Sequence, residues 1–280
     1  ATVVVSRDMR RLRVNGTIFG NVIVDGKIRN LQARAINAAV VVSGMDMTTV
    51  RINGAVSNSL LQAGINRGDD GDFASADANG SQMSRMGRIN RFQAGSVTDS
   101  IINAGGHFSN TLVRGAATNT SISSGLVLSG AAINTIINDA TPLATVVEQD
   151  AARAGSTLLW GNFTRAQTRG ALTNSDITAG IDPGADGQFG TADDAVSTSL
   201  TGGNSSFNIV TTRGSDAASN VMSDAGIRRN RISGAAATNF AVTYNPDDAN
   251  IDGGVNLETL QGTAQNGADV TFGGITVSIT

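Results

Sequence analysis

Along most of the chain, short runs in which apolar and polar residues alternate are punctuated by Gly and Asn. Alternation of period 2 marks strands that turn one face inward. Residues 50–64 set a template: a strand, Gly54, three residues, Asn58-Ser59, a second strand, then Gly64. The phrase returns as Gly95, Asp99-Ser100 and Gly105, and as Gly115, Asn119-Thr120 and Gly125. Gly130 leads to Asn134-Thr135 and Gly170 to Asn174-Ser175-Asp-Ile-Thr-Ala-Gly180, with looser copies at 16–21, 33–37 and 234–239. Gly95, Gly115 and Gly130 are 20 and 15 residues apart, about one turn of a coil of short strands. Gly would permit a positive φ at one corner, and Asn tolerates the left-handed region at the other. Stacked Asn side chains can hydrogen-bond into a ladder along the axis.

Hairpins of a β-sandwich would have turns at similar spacing, but would not need the same seven-residue phrase at each. The pattern therefore predicts an all-β, single-domain parallel β-solenoid (β-helix) over residues 1–280, with roughly a dozen rungs about 4.8 Å apart. Residues 144–154, which lack Gly and interrupt the repeat, are the expected helix. Trp160 and Phe163 are expected to plug an end or a bulge of the core.

Two loops break the repeat, as insertions at about 65–80 and 181–196. Asn66-Arg-Gly68-Asp69-Asp70-Gly71-Asp72-Phe73-Ala-Ser-Ala-Asp77 aligns without a gap to Asp182-Pro-Gly184-Ala-Asp186-Gly187-Gln188-Phe189-Gly-Thr-Ala-Asp193, and each follows the same corner phrase. Calcium takes six to eight oxygen ligands from carboxylates, amides and backbone carbonyls. Counting from Asp182, oxygen donors fall at positions 1 and 5 (Asp186), a turn-forming Gly187 at 6, the backbone carbonyl of Gln188 at 7, an anchoring Phe189 at 8, and Asp193 at 12. The candidate metal ligands are therefore Asp182, Asp186, Gln188 and Asp193 in one loop, and Asn66, Asp70, Asp72 and Asp77 in the other. The order resembles an EF-hand or dockerin calcium loop. It departs at position 3, which is Gly, and at position 12, which is Asp rather than Glu. Both departures predict weak binding of the kind that suits an extracellular setting.

Repeat and loops together resemble bacterial cell-surface β-helix repeat proteins that carry Asp-Gly calcium loops. The resemblance is one of architecture, and it implies a structural protein with Ca²⁺ as its ion. No tandem Gly-Gly-x-Gly-x-Asp run of the nonapeptide toxin repeats is present.

Composition narrows the function classes. The formal net charge is −3, the basic residues are scattered and Lys27 is the single lysine, so the phosphate-tracking patch of a nucleic-acid binder is missing. No run of about 18 apolar residues offers a membrane span. The lack of cysteine excludes thiolate metal sites, and the single histidine, His107, which reads as a surface or corner residue, argues against zinc sites and His-based triads. Eight of the 23 carboxylates cluster in the two loops, and Glu148 and Asp150 read as a solvated helix turn, so paired catalytic acids are not evident. The chain is expected to be no enzyme. It should be secreted with its signal peptide removed, at the cell surface or outside the cell, as a subunit of a surface layer, filament or matrix. Its partners would be further copies of itself, joined head-to-tail through the strands at 1–6 and 269–280, and a surface polysaccharide. The alternatives are a monomeric adhesin or carbohydrate-binding stalk and, behind it, a calcium-dependent polysaccharide lyase or hydrolase.

Overall fold

The computed structural model describes residues 1–67, 71–74, 87–140, 142–191, 193–196, 205–224, 226–233, 269–272 and 275–278. The looser copy at 234–239 lies outside them. Among the described residues the chain is mostly β, with two short helices, α1 (Gly130–Asn138) and α2 (Val146–Arg153). One 17-stranded sheet dominates, and every ladder within it is parallel.

The ladders close on themselves. From Ile28–Asn37 they run to Met47–Ile52, Ile89–Ala94, Phe108–Val113 and Ala166–Thr173, then back through Ala117–Ser124, Ser96–Ala104 and Ala55–Ser57 to the start. This closed ring of eight parallel strands forms a barrel, and it corrects the expectation of an open β-solenoid with calcium-loop insertions. What closes the ring is that strands bend without ending. Ile28–Asn37 pairs with Met47–Ile52 along its first part and with Ala55–Ser57 along its last, and Ala166–Thr173 pairs in the same way with Phe108–Val113 and then Ala117–Ser124. A reading that ends strands at each corner misses this continuity.

The corner phrase has a specific bond pattern. Asn58, Asp99, Asn119 and Asn174 all have φ between 44° and 47°. The following hydroxyl donates to the carbonyl two residues back, as Ser100 Oγ does to Thr98 at 2.7 Å and Ser175 Oγ to Thr173 at 2.8 Å. It also accepts a backbone N–H from the neighbouring coil. Ala39 N donates to Ser59 Oγ, Ser59 N to Ser100 Oγ, Thr120 N to Ser175 Oγ and Ser175 N to Ser219 Oγ, across 20, 41, 55 and 44 residues. The intervals above 20 mark three excursions: the first acidic loop, the two helices, and the second acidic loop. An amide ladder runs beside the hydroxyls, with Asn119 Nδ2 donating to Asp99 Oδ1 at 3.0 Å and Asn174 Nδ2 to Asn119 Oδ1 at 3.1 Å. Asn119→Val should lose the ladder and force a β-branched residue into the left-handed region, costing about 2 kcal/mol in urea denaturation. Asn119→Gly, which removes the strain but not the ladder loss, should cost about half of that.

The closing glycine of the phrase has the expected positive φ, 95° at Gly64, 78° at Gly125 and 66° at Gly180, but the opening glycine works differently. Gly95, Gly115 and Gly170 are not in the positive-φ region. They are glycine because coils touch there: a Cβ would fall 2.7 Å from Gly54 O at Gly95, 2.8 Å from Gly95 O at Gly115, and 2.4 Å from Gly115 C at Gly170.

Inside the ring lies the main core, including Ile28, Leu31, Val50, Phe92, Ile102, Ile122 and Val210. A stack of Phe108, Phe163 and Phe207 runs through it, with ring centroids 4.9 and 4.8 Å apart. Phe163 is thus mid-column rather than an end plug, and Trp160 packs edge-on against His107 at 4.6 Å. A second core lies on the outer face of one wall, where α1 covers Val40, Val42, Leu60 and Ile101 with Ile133 and Ile136. Strand Val40–Ser43 is therefore buried on both faces. Gly130-x₃-Asn134-Thr135, read from sequence as another corner, is helix α1, capped by Ser129 Oγ accepting from Ala132 N. Helix α2 forms where a helix is expected, with a reciprocal Thr145/Glu148 capping box. The strand Thr2–Val5 pairs in parallel with Asn21–Val24, and Asp269–Phe272 pairs with Ile275–Ser278 as an antiparallel hairpin. No helix of the described residues is long and apolar enough to cross a membrane.

Candidate functional site

Each acidic loop docks on one of the two helices. In the first, Phe73 is buried at 1% exposure beside α1, and the Asp72 carboxylate accepts from Ala74 N at 2.9 Å and from the side-chain amide of Asn134 on α1. A Cβ on Gly130 would collide with the Phe73 carbonyl, so the helix start and the loop are in direct contact. Arg67 anchors the loop entrance through a bidentate ion pair, donating to the two Asp25 carboxylate oxygens at 3.0 and 2.9 Å. Asn66 is half-buried at the entrance. Asp70 and Asp77 lie outside the described residues.

The second loop is pinned at its base by an antiparallel bridge, Ile181↔Val196 and Asp182↔Ala195. Phe189 is buried and carries the Arg153 guanidinium over its ring at 5.4 Å. Asp182 Oδ1 accepts from Gly184 N at 3.1 Å, and Asp186 Oδ1 from Gln188 N at 2.8 Å. Asp193 Oδ2 accepts from Ala185 N at 2.8 Å, closing the loop across its mouth. These hydrogen bonds hold Asp193 below the usual carboxylate range, led by the one from Thr191.

Thr191 Oγ1 sits amid four oxygens: Asp193 Oδ1 at 2.7 Å, the Gln188 carbonyl at 3.3 Å, Asp194 Oδ1 at 3.4 Å and Asp186 Oδ1 at 3.5 Å. A hydroxyl has one hydrogen and can satisfy one of them. The rest form a knot of hard oxygen donors, the chemistry that suits Ca²⁺. In this geometry no group of three or more His, Asp or Glu side chains among the described residues stands at metal-ligand spacing, so binding would have to draw the carboxylates inward. The structure thus brings together Asp186, Gln188 and Asp193, while Asp182 is engaged in capping the turn at Gly184. It adds Asp194, which sequence reasoning missed. The readable signal was the doubled acid at 193–194, where the first loop has Asp77-Ala78. Burial pushes the Asp194 carboxyl up to about 6.

Behind the loop lies a buried charge cluster on α2. Arg153, 4% exposed, donates from Nε to the Gly187 carbonyl at 2.7 Å and from a terminal nitrogen to Asp150 Oδ1 at 2.5 Å. A Cβ on Gly187, whose φ is 71°, would fall 1.9 Å from the Asp150 carbonyl oxygen, so the loop rests directly on the helix. Asp150 is therefore a buried ion-pair partner, not the solvated turn read from sequence. Asp176 faces the same cluster, accepts from Asn220 Nδ2 at 2.8 Å, and is pushed up to about 6 by burial, with Arg153 opposing the shift. Burial likewise raises Asp150 and lowers Arg153.

His107 stands at a corner, where its Nδ1 accepts from Asn162 N at 3.0 Å; burial, aided by Arg88, lowers its pKa. Compared with known proteins, the chain matches no family model, no curated protein and no solved structure.

Proposed function

We propose that this chain is an extracellular structural protein, a calcium-stabilised parallel β scaffold that serves as a subunit of a surface layer, filament or matrix. The observation that carries the reading is the oxygen knot around Thr191, held on a rigid wall by Phe189 and Arg153. Calcium would be held there by Asp186, Asp193, Asp194 and the Gln188 carbonyl, and its charge would neutralise carboxylates that repel one another. Asn66, Asp70, Asp72 and Asp77 would hold a second ion more weakly: each loop has four acids, but position 1 is the neutral Asn66 and Asp72 is already engaged by Ala74 N and the Asn134 amide. Contact between subunits would run end to end. Strand Thr2–Val5 has its partner on one side, and Val3 and Val4 are 46% and 49% exposed.

Calcium binding to the folded chain alone adds about 2.7 kcal/mol at a hundredfold excess over Kd. Calorimetry should therefore show the melting temperature rising by several degrees between chelator and millimolar calcium. Asp193→Ala should abolish most of the rise while Asp77→Ala removes less. An identical melting curve in chelator and calcium would refute the ion, and a full-length protein that sediments as a monomer at high concentration, with calcium present, would refute the assembly. In that event a monomeric glycan-binding stalk becomes the better reading. A cleft lined by Asp150, Arg153, Asn174 and Asp176 beside the second loop favours it.

A further inference from the structure

A cleft of about 210 Å³ opens between α2 and the corner ladder, lined by Asn174, Asp150, Asp176 and Arg153, with Val146 and Phe189 as its apolar side. We propose that this cleft binds one neutral sugar residue. The inference rests on the extracellular reading only for where a glycan would be met; the site itself stands on its lining.

The volume lies below the roughly 300–1,000 Å³ of drug-sized sites and suits a single ring. The polar lining is mixed. Arg153, 4% exposed, is the donor, while Asp150 and Asp176 are acceptors; the Asn220 amide is already committed to Asp176 and to the Phe189 carbonyl. The amide ladder ends here. Asn174 directs its NH₂ to Asn119, and the next position along the corner, in register through Ser175–Ser219 and Asp176↔Asn220, is Ala218, which has no donor to offer the Asn174 carbonyl. A ligand is thus met by carboxylates that need donors and by a guanidinium that needs acceptors. A hydroxyl supplies both from one group, and a polyhydroxylated ring supplies several at once. An anion would face Asp150 and Asp176 together, and a simple cation would face Arg153. Val146 and Phe189 offer an apolar wall to the C–H face of a ring.

The probes are free glucose, galactose, mannose, N-acetylglucosamine and glucuronate, titrated against the full chain in calcium by saturation-transfer NMR and calorimetry. At least one neutral sugar should bind saturably with Kd of about 1 mM. Asp176→Ala should weaken it at least about tenfold, because a hydroxyl loses its charged acceptor. Val146→Tyr should do the same by filling the mouth while leaving every polar group in place, and it carries the test if Asp176→Ala does not fold. Glucuronate should bind about tenfold more weakly than glucose, since its carboxylate would face two others. The proposal is overturned if no neutral sugar saturates, if glucuronate binds as tightly as glucose, or if both variants bind like the parent. Sugar binding that persists in chelator, in a protein whose melting ignores calcium, would sink the ion reading and leave this one standing.

Discussion

Arg153→Met should lower stability by about 3–5 kcal/mol, because it leaves buried carboxylates without their cation. Arg153 is the positive charge facing both Asp150 and Asp176, and its Nε bond to Gly187 also ties the second loop to α2. Methionine fills similar volume, so the loss is electrostatic rather than a cavity. The deficit should depend on pH in a defined direction. Asp176 and Asp194 have folded pKa values raised to about 6 from 3.8. A group raised on folding contributes stability that is present below its unfolded value and lost as pH rises through the folded one. Without Arg153 the Asp150 and Asp176 shifts grow, so the deficit should be largest above about pH 7 and shrink toward about pH 5. In the parent chain the same two groups favour mildly acidic solution. His107 works in opposition: its folded pKa is lowered, so its contribution is lost as pH falls below about 6.5. Equal urea midpoint differences at both pH values would mean that Arg153 acts by packing alone. The double variant Arg153→Met, Asp150→Asn should recover part of the loss, since one of the stranded charges is then gone.

What could be read from sequence was whatever is settled between neighbours along the chain. Asn followed by Ser or Thr was legible because its work is local: a left-handed backbone at the Asn and a hydroxyl returning to the carbonyl two residues back. The inward Phe at the eighth loop position was legible for the same reason, and Phe73 and Phe189 are both buried. Ring closure was not legible, since it depends on strands such as Ile28–Asn37 running on past one partner strand to pair with the next. Backbone freedom was read correctly at Gly64, Gly125 and Gly180 but wrongly at Gly95, Gly115 and Gly170, where the crowding atoms lie far away along the chain. Helix α1 was misread because Gly130-x₃-Asn134-Thr135 copies the corner phrase, although Ile133, Ile136 and Ile137 already show helical spacing. Asp150 looked solvated because Arg153 alone is near in sequence, while Asp176 and Gly187 reach the cluster from other coils. Those long-range partners also create the cleft, which no local phrase announces.

Phe163→Ala should cost about 3–5 kcal/mol, comparable to the loss of Arg153 but insensitive to pH. Phe163 lies where the chain returns from its longest excursion, the one holding both helices. No regular strand forms there; Phe163 makes single parallel bridges to Phe108 and to Phe207. Its N–H donates to Ser206 O at 2.9 Å, and its carbonyl accepts from Asn208 N at 2.8 Å. The bridge on each side is thus a single residue pair, with the full ladders resuming only at Ala166, and the ring adds side-chain contact to both neighbours. It is fully buried, nearly parallel to Phe108 and Phe207 at interplanar angles of 3° and 9°, and in contact with both. Truncation would open a cavity in the middle of the column and remove two stacking contacts, each worth roughly 0.5–1.5 kcal/mol beyond burial. Phe163→Leu keeps much of the volume but no stacking, so it should lose about 1–2 kcal/mol. The contrast between the two variants in urea denaturation separates volume from stacking. Equal losses would mean that the flat face of the ring, rather than its bulk, holds the returning segment in register. If both variants unfold like the parent, the two bridges hold the coil without the ring, and the column is filler rather than a joint.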